Sequence, residues 1–263
     1  MKKAIQLLSI VFLLGLTVTS CTSSDNEVVE ARLLKNVIEV NTDGTSSTYN
    51  FTYTGSKIVS IISENKSSTF TYTGDLITKI TELNLATNAQ ATFDYSYTAD
   101  RLTKVISSDN YELNYTYNAD GTVSYEKTTV DSNNNTVLLF HGTISFQGEN
   151  VYDNNKTLDT TAANVVSKEQ VSFVYDAKRN PFNNITGYNK LLDHYNTISA
   201  NNTASSTEIA STSYLDTDQA ISSLSQYPRT FQYDSGYPTE IVSNKPVFEN
   251  QNNNHLKSVY IYY

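Results

Sequence analysis

Thr69–Ile80 reads TFTYTGDLITKI, and nineteen residues upstream Asn50–Ile61 reads NFTYTGSKIVSI. A chain that nearly repeats itself at such a period is built from one supersecondary unit used many times. The core of the phrase is an aromatic residue two positions before a tyrosine. It recurs as Phe51/Tyr53, Phe70/Tyr72, Tyr95/Tyr97, Tyr115/Tyr117, Phe173/Tyr175 and Phe231/Tyr233. Eight residues after each tyrosine stands Ile61, Ile80, Val105, Tyr125, Asn183 or Ile241, apolar in every copy but one. The tyrosines are 19, 25, 20, 58 and 58 residues apart, and the two long gaps leave room for copies that have drifted.

Residues two apart share one face of a β-strand. In Tyr111-Glu-Leu-Asn-Tyr-Thr-Tyr117 the odd positions are apolar or aromatic and the even ones polar, which predicts a strand with one buried face. Between this strand and its return lie Thr-Gly-Ser, Thr-Gly-Asp, Thr-Ala-Asp or Asn-Ala-Asp-Gly, all turn formers. Each repeat is therefore a hairpin, and successive hairpins make an antiparallel meander. The return strands, such as Leu76–Ile80 and Arg101–Ile106, split their apolar residues between both faces. That blurring predicts a strongly curled sheet rather than a flat sandwich. The fold class expected is all-β: an antiparallel hairpin meander forming a curled, barrel-like sheet as a single domain over residues 31–263.

The pattern breaks in three places. Asp153–Lys168 is polar and reads as loop. Tyr188, Leu191, Leu192, Tyr195 and Ile198 follow a helical spacing, which predicts a short amphipathic helix plugging one opening or face of the sheet. Asn201–Ser213 reads as a long surface loop and Asp218–Leu224 as a helical turn, so a helical and loop insertion is expected near residues 186–225.

The chain opens MKKAIQLLSIVFLLGLTVTSC. Two lysines precede an apolar run shorter than the roughly 20 residues of a membrane-spanning helix, the form of an export signal over residues 1–20. Val18-Thr-Ser-Cys21 resembles the bacterial lipobox, and Cys21 is the chain's only cysteine, so lipidation at Cys21 is expected. Residues 21–30 form a short polar tether. Asp25 and Glu27 loosely fit a surface-export signal. The expected address is the outer membrane, held by the N-terminal lipid and facing the periplasm or the exterior.

Net charge is −9, which disfavours nucleic acid as a partner. There is no Gly-x-Ser-x-Gly, no phosphate-binding glycine loop and no catalytic cysteine outside the lipobox. His141, His194 and His255 lack ligand spacing. Asn41–Thr45 and Asn118–Thr122 share the Asp/Asn/Gly content of calcium loops but lack the further acidic ligand, and a tight turn accounts for them. No cofactor or metal is expected, nor an enzyme. An envelope hydrolase working through scattered carboxylates stands as the alternative class. The twelve paired aromatics named above are the candidate face: core beneath the curled sheet, or a surface for a glycan or protein partner.

Two resemblances follow from these residues. Tyr175-Asp-Ala-Lys-Arg-Asn-Pro181 and Tyr233-Asp-Ser-Gly-Tyr-Pro238 resemble YD repeats of the Rhs type, whose hairpin strips wrap into shells. Only these two copies carry Tyr-Asp; the others have Tyr-Thr or Tyr-Asn. The lipoprotein signal followed by hairpins also resembles a family of bacterial lipoproteins with a porin-like β-meander, which implies a curled many-stranded sheet. The terminal strand Lys257–Tyr263, ending on an aromatic, resembles the assembly signal of outer-membrane barrels. An integral barrel is therefore a further alternative, though Thr, Ser, Asn and Lys interrupt the apolar outward band it would need.

Overall fold

The computed structural model describes residues 31–159, 164–217, 219–248 and 255–263. The export signal, the tether and Cys21 lie outside these residues. The strands are β1 (Leu34–Asn41), β2 (Ser46–Thr54), β3 (Lys57–Ile62), β4 (Lys66–Thr73), β5 (Leu76–Asn84), β6 (Gln90–Thr98), β7 (Arg101–Ser107), β8 (Tyr111–Tyr117) and β9 (Val123–Val130). They continue as β10 (Thr136–Gln147), β11 (Asn150–Leu158), β12 (Val165–Arg179), β13 (Asn201–Tyr214), β14 (Gln219–Pro228), β15 (Thr230–Asp234), β16 (Tyr237–Val242) and β17 (His255–Tyr262). Every pairing is antiparallel. Each strand pairs with the next from β1 to β14 and from β15 to β17, and β17 returns to pair with β1. β14 and β15 are separated by Arg229 alone, so they act as one bent strand that pairs with β13 through its first part and β16 through its second. Counted that way the ring is even-numbered, as an up-and-down antiparallel ring requires. The curled meander is thus a nearly closed barrel-like sheet.

The blurred return strands have a specific cause. In five hairpins the return strand carries one extra residue at the same place: Val59, Thr78, Thr103, Tyr152 and Thr239 have no partner opposite. Such bulges shift the side-chain alternation by one and increase the local twist. Ile77 and Ile80 are therefore both buried although three residues apart, as are Leu102 and Val105. The fourth of these, β10–β11, is a drifted copy in which Ile144 and Phe146 stand where other copies have the aromatic and the tyrosine.

In several copies the tyrosine of the phrase, and likewise Tyr262 of the last strand, reaches into the neighbouring hairpin. Tyr97 O–H donates to Ile77 O at 2.8 Å, Tyr175 O–H to Val151 O at 2.7 Å and Tyr262 O–H to Pro238 O at 2.7 Å. Ile58 N–H donates to Tyr72 Oη at 3.2 Å. Ile58, Ile77, Val151 and Pro238 are the residues next to the bulges. Each phenol thus satisfies a backbone group that the bulge leaves irregular and ties one hairpin to the one before it. Tyr97→Phe is expected to lower stability by about 1–3 kcal/mol, because the Ile77 carbonyl loses its donor in a partly buried place. Urea denaturation checks this; an unchanged midpoint would show that the phenol is idle.

The polar break after β12 is where the outcome departs furthest from expectation. Residues 180–200 form the connection between β12 and β13, and it turns inward and fills the barrel. Its regular pieces are three short 3-10 turns, Pro181–Asn184, Tyr188–Lys190 and Leu192–His194, not the amphipathic helix expected. Of the side chains expected to gather, Tyr188, Leu191, Leu192 and Ile198 are buried and Tyr195 is half-buried, and Phe182 and Ile185 are buried with them. Pro181 and Gly187 break the regular helix, and Asn180 caps the first turn by accepting from Phe182 N–H. Asn183, the one non-apolar residue in the eight-residue rule, falls in this plug because the Phe173/Tyr175 copy runs into it instead of a return strand.

Three further expectations are corrected. Asp153–Lys168 is not a loop: its ends are the second half of β11 and the start of β12. Asn201–Ser213 is strand β13, and the supposed helical turn is, from Gln219 on, strand β14. The insertion therefore spans 180–200, not 186–225. β14 is exposed along almost its whole length, so it buries no apolar face that its sequence could reveal.

Candidate functional site

The inner face is built from the repeated phrase. The first rings, Phe51, Tyr95, Tyr115 and Phe173, are buried, while Phe70 and Phe231 are half-buried. The second rings, Tyr53, Tyr72, Tyr97, Tyr117 and Tyr175, lie half-buried toward the rim, and Tyr233 is exposed. Phe51, Tyr95, Tyr115 and Phe173 belong to the core itself, and the other rings except Tyr233 pack against it. Phe51 meets Phe182 of the plug edge-on at 6.2 Å, and Phe173 meets Tyr195 at 6.2 Å. The rings are chiefly the wall against which the plug packs.

The plug carries one carboxylate into this aromatic interior. Asp193, on the third 3-10 turn, accepts a hydrogen bond from Tyr95 O–H at 2.9 Å through Oδ2. Its Oδ1 is buried and has no hydrogen-bond partner among the described residues. His194 Nε2 stands 3.8 Å from Oδ2, beyond hydrogen-bonding distance. Burial first, then the nearby Asp193 charge, pushes the phenols of Tyr95, Tyr97 and Tyr115 far above the ordinary tyrosine range.

Asp193 stands between two cavities. The larger, about 320 Å³, opens toward solvent and is flanked by the rings of Tyr49, Phe70, Tyr188 and Phe248. Its polar rim holds Ser68, Glu82 and Lys66, with Lys66 Nζ paired to Glu82 Oε1 at 2.6 Å. The smaller, about 120 Å³, lies between Leu113, Tyr115, Tyr125, Phe140 and Leu192. An apolar pocket with a few convergent polar groups is the usual form of a small-molecule site. The flat rings offer stacking faces, and the carboxylates offer acceptors for hydroxyl or ammonium donors. Of the twelve aromatics expected to form a face, Phe70 lines the larger cavity and Tyr115 the smaller. The charged members, Asp193, His194 and Glu82, were not singled out as a group from the sequence. The one signal for Asp193 is a carboxylate set between Leu192 and Tyr195 in a stretch whose apolar side chains all turn inward.

The turns that share calcium-loop composition use their carboxylates locally. Asp43 Oδ1 accepts from Thr45 N–H at 2.9 Å and Oγ1–H at 2.6 Å, and Asp120 does the same with Thr122 at 3.0 and 2.7 Å. These bonds hold both carboxyls below the usual carboxylate range.

The phenols predict a pH dependence. Burial pushes Tyr72 and Tyr188 up to about 12, against about 10 for tyrosine in an unfolded chain. A raised phenol pKa favours the folded state fully below pH ~10, and that contribution is lost as pH rises through the folded value. Stability is therefore expected to be flat into mildly alkaline solution and to fall from pH ~10 through ~12 and above. Phenolate absorbance and near-ultraviolet circular dichroism should change together. Release of most phenol protons near pH ~10 from an intact fold would contradict the buried aromatic interior.

No protein-family model matches this chain, and no curated protein matches it. Among solved structures it is similar to a porin-like protein from Bacteroides vulgatus, with 13% identity, 88% of this chain and 99% of that chain covered, and a TM-score of 0.56. A porin-like protein from Bacteroides uniformis shares 10% identity over 88% of this chain and 98% of that chain, with a TM-score of 0.29. The first likeness is one of fold: a barrel-like β-sheet.

Proposed function

We propose that this chain is a non-enzymatic, lipid-anchored scaffold of the outer envelope that holds a glycan in the cavity beside Asp193. The observation that carries the reading is the pairing of stacking rings with the Asp193 carboxylate on the wall of an open interior cavity of about 320 Å³. Sugars present a flat C–H face and a rim of hydroxyl donors, and this cavity offers the complement of both. The Asp193 carboxylate accepts a hydroxyl, while Tyr49 or Phe70 stacks on the ring. Anchorage comes from acyl chains on Cys21, which bury about 0.8 kcal/mol per methylene.

The outer wall supports a barrel that stands in water. The outward residues of β2, β4 and β6 include Thr48, Asn50, Thr52, Thr69, Thr71, Asp94 and Ser96, all exposed. Cross-strand ion pairs lie on it as well, Lys79–Asp94 at 3.1 Å and Lys104–Glu112 at 2.7 Å. A lipid-facing wall needs an apolar band instead.

Two experiments test the reading. A glycan panel should yield a ligand whose affinity falls about tenfold or more in Asp193→Asn, since a hydrogen bond to a charged acceptor contributes roughly 1.5–3 kcal/mol. A panel with no binder, or a binder indifferent to the substitution, removes the glycan reading. Cys21→Ala should release the protein into the soluble fraction. A variant that stays in the membrane through salt and carbonate washing would favour the second reading, an integral barrel, which rests on the likeness to a porin-like fold.

A further inference from the structure

A third concavity lies where β14 passes into β15. It measures about 60 Å³, and its lining includes Asn180, Thr197, Asn202, Arg229, Lys245 and Tyr260. Arg229 is the single residue between the two strands. Its backbone N–H donates to Ala204 O at 2.9 Å, which fixes the bend and aims the side chain at the inner face beside Tyr260.

The Arg229 residue is half-buried, and no ion pair or hydrogen bond to its guanidinium is found among the described residues. The groups around it do not balance its charge. Tyr260 and Tyr175 are phenols that burial keeps protonated. Lys245 is a second cation, bonded to Glu208, with its Nζ 4.9 Å from the Tyr227 ring centre. Asp176, the nearby acid of β12, is engaged by Tyr233 O–H and by Asn202 N–H at 3.3 Å. A desolvated cation without a counter-charge is destabilising, and burial does lower the Arg229 pKa, but arginine stays charged at any ordinary pH. In a chain of net charge −9 there was no shortage of carboxylates to set opposite it. A planar fork of donors facing a small polar cavity suits an oxyanion bound through two oxygens.

We propose that Arg229 receives an oxyanion group, a carboxylate, sulfate or phosphate, of a small ligand entering the cavity at the β14–β15 bend. Lys245, paired to Glu208, stands at its edge. The cavity admits one such group and a few waters but not a whole sugar ring. It shares Asn196, Thr197 and Val247 with the wall of the Asp193 cavity, yet the proposal stands without any glycan there.

The test is thermal unfolding and calorimetric titration of the full chain with inorganic phosphate, sulfate and acetate, against chloride at equal ionic strength. At least one oxyanion should raise the melting temperature saturably. Its affinity should fall about tenfold or more in Arg229→Met. Without oxyanion, that variant should be as stable as the natural protein or more so, because an uncompensated charge has been removed. Arg229→Lys keeps the charge but loses the fork, and should bind several-fold more weakly; it decides the matter if the methionine variant does not fold. Equal oxyanion affinity in the natural protein and the folded variants, or no saturable response to any of the three, overturns the proposal. The ranking of planar acetate against tetrahedral sulfate and phosphate identifies which oxyanion the cavity prefers.

Discussion

Phe182→Ala is expected to lower stability by about 3–5 kcal/mol. Phe182 is the first large side chain of the plug and is 3% exposed. Its ring stacks on Tyr188 at 5.5 Å and meets Phe248 at 5.8 Å and Phe51 at 6.2 Å. Phe51 belongs to the repeated wall and Tyr188 to the plug, so one ring couples the two. Truncation removes the burial of most of an aromatic side chain and leaves a void that the paired strands, fixed by their ladder hydrogen bonds, cannot close. Phe182→Leu retains most of the volume and should cost less than about 1.5 kcal/mol. Urea denaturation of both variants separates loss of packing from loss of an aromatic ring. A Phe182→Ala change within about 0.5 kcal/mol of the natural protein, as at an ordinary surface site, would mean that the plug contributes nothing to the core.

Gly187→Ala is the second large effect, expected at about 2–5 kcal/mol from two sources that add. Gly187 has φ +75°, where a Cβ costs roughly 1–2 kcal/mol. That Cβ would also stand 2.4 Å from Asp75 O, a backbone atom of the β4–β5 turn that cannot swing aside. Overpacking of this kind costs about 1–3 kcal/mol. The neighbouring residue explains why the approach is so close. Thr186 N–H donates to Ser56 O at 3.0 Å, Thr186 O accepts from Tyr72 O–H at 3.0 Å, and the Ser56 and Thr186 hydroxyls are 2.7 Å apart. The plug is thus tied to the turns of two successive hairpins. Gly44→Ala is the control: Gly44 has φ +85° with open space around its Cβ position, so only the conformational cost should appear. If both substitutions cost the same, the plug does not sit against the β4–β5 turn.

The alternation of Tyr111–Tyr117 and the sixfold phrase made the hairpins, their turns and the inward aromatic face readable without coordinates. What blurred the return strands was physical: a bulge moves a side chain to the other face, so Ile77 and Ile80 read as conflict when they are neighbours in one core. β13 and β14 were unreadable for a different cause. Serine and threonine make up half of β13, and β14 faces solvent on both sides, so neither carries an apolar rhythm. The plug was half legible. Its apolar spacing announced burial, but the 3-10 turns that produce it share with a helix only the rough three-to-four-residue step. Asp193 and Arg229 were beyond reach, because each matters through partners far off in sequence. Tyr95 is 98 residues from Asp193, and nothing local marks Arg229 as the hinge of a bent strand.

The central claim is that the repeated hairpins form a ring whose aromatic face is completed by residues 181–198 from within. Native-state hydrogen exchange addresses it directly. The amides of Ile185, Leu191 and His194, bonded to Phe182 O at 3.1 Å, Tyr188 O at 3.1 Å and Leu191 O at 2.8 Å, should exchange only with the same opening free energy as those of β4 and β5. Plug amides that exchange as fast as an exposed turn, while the surrounding strands stay protected, would mean that the barrel stands without it.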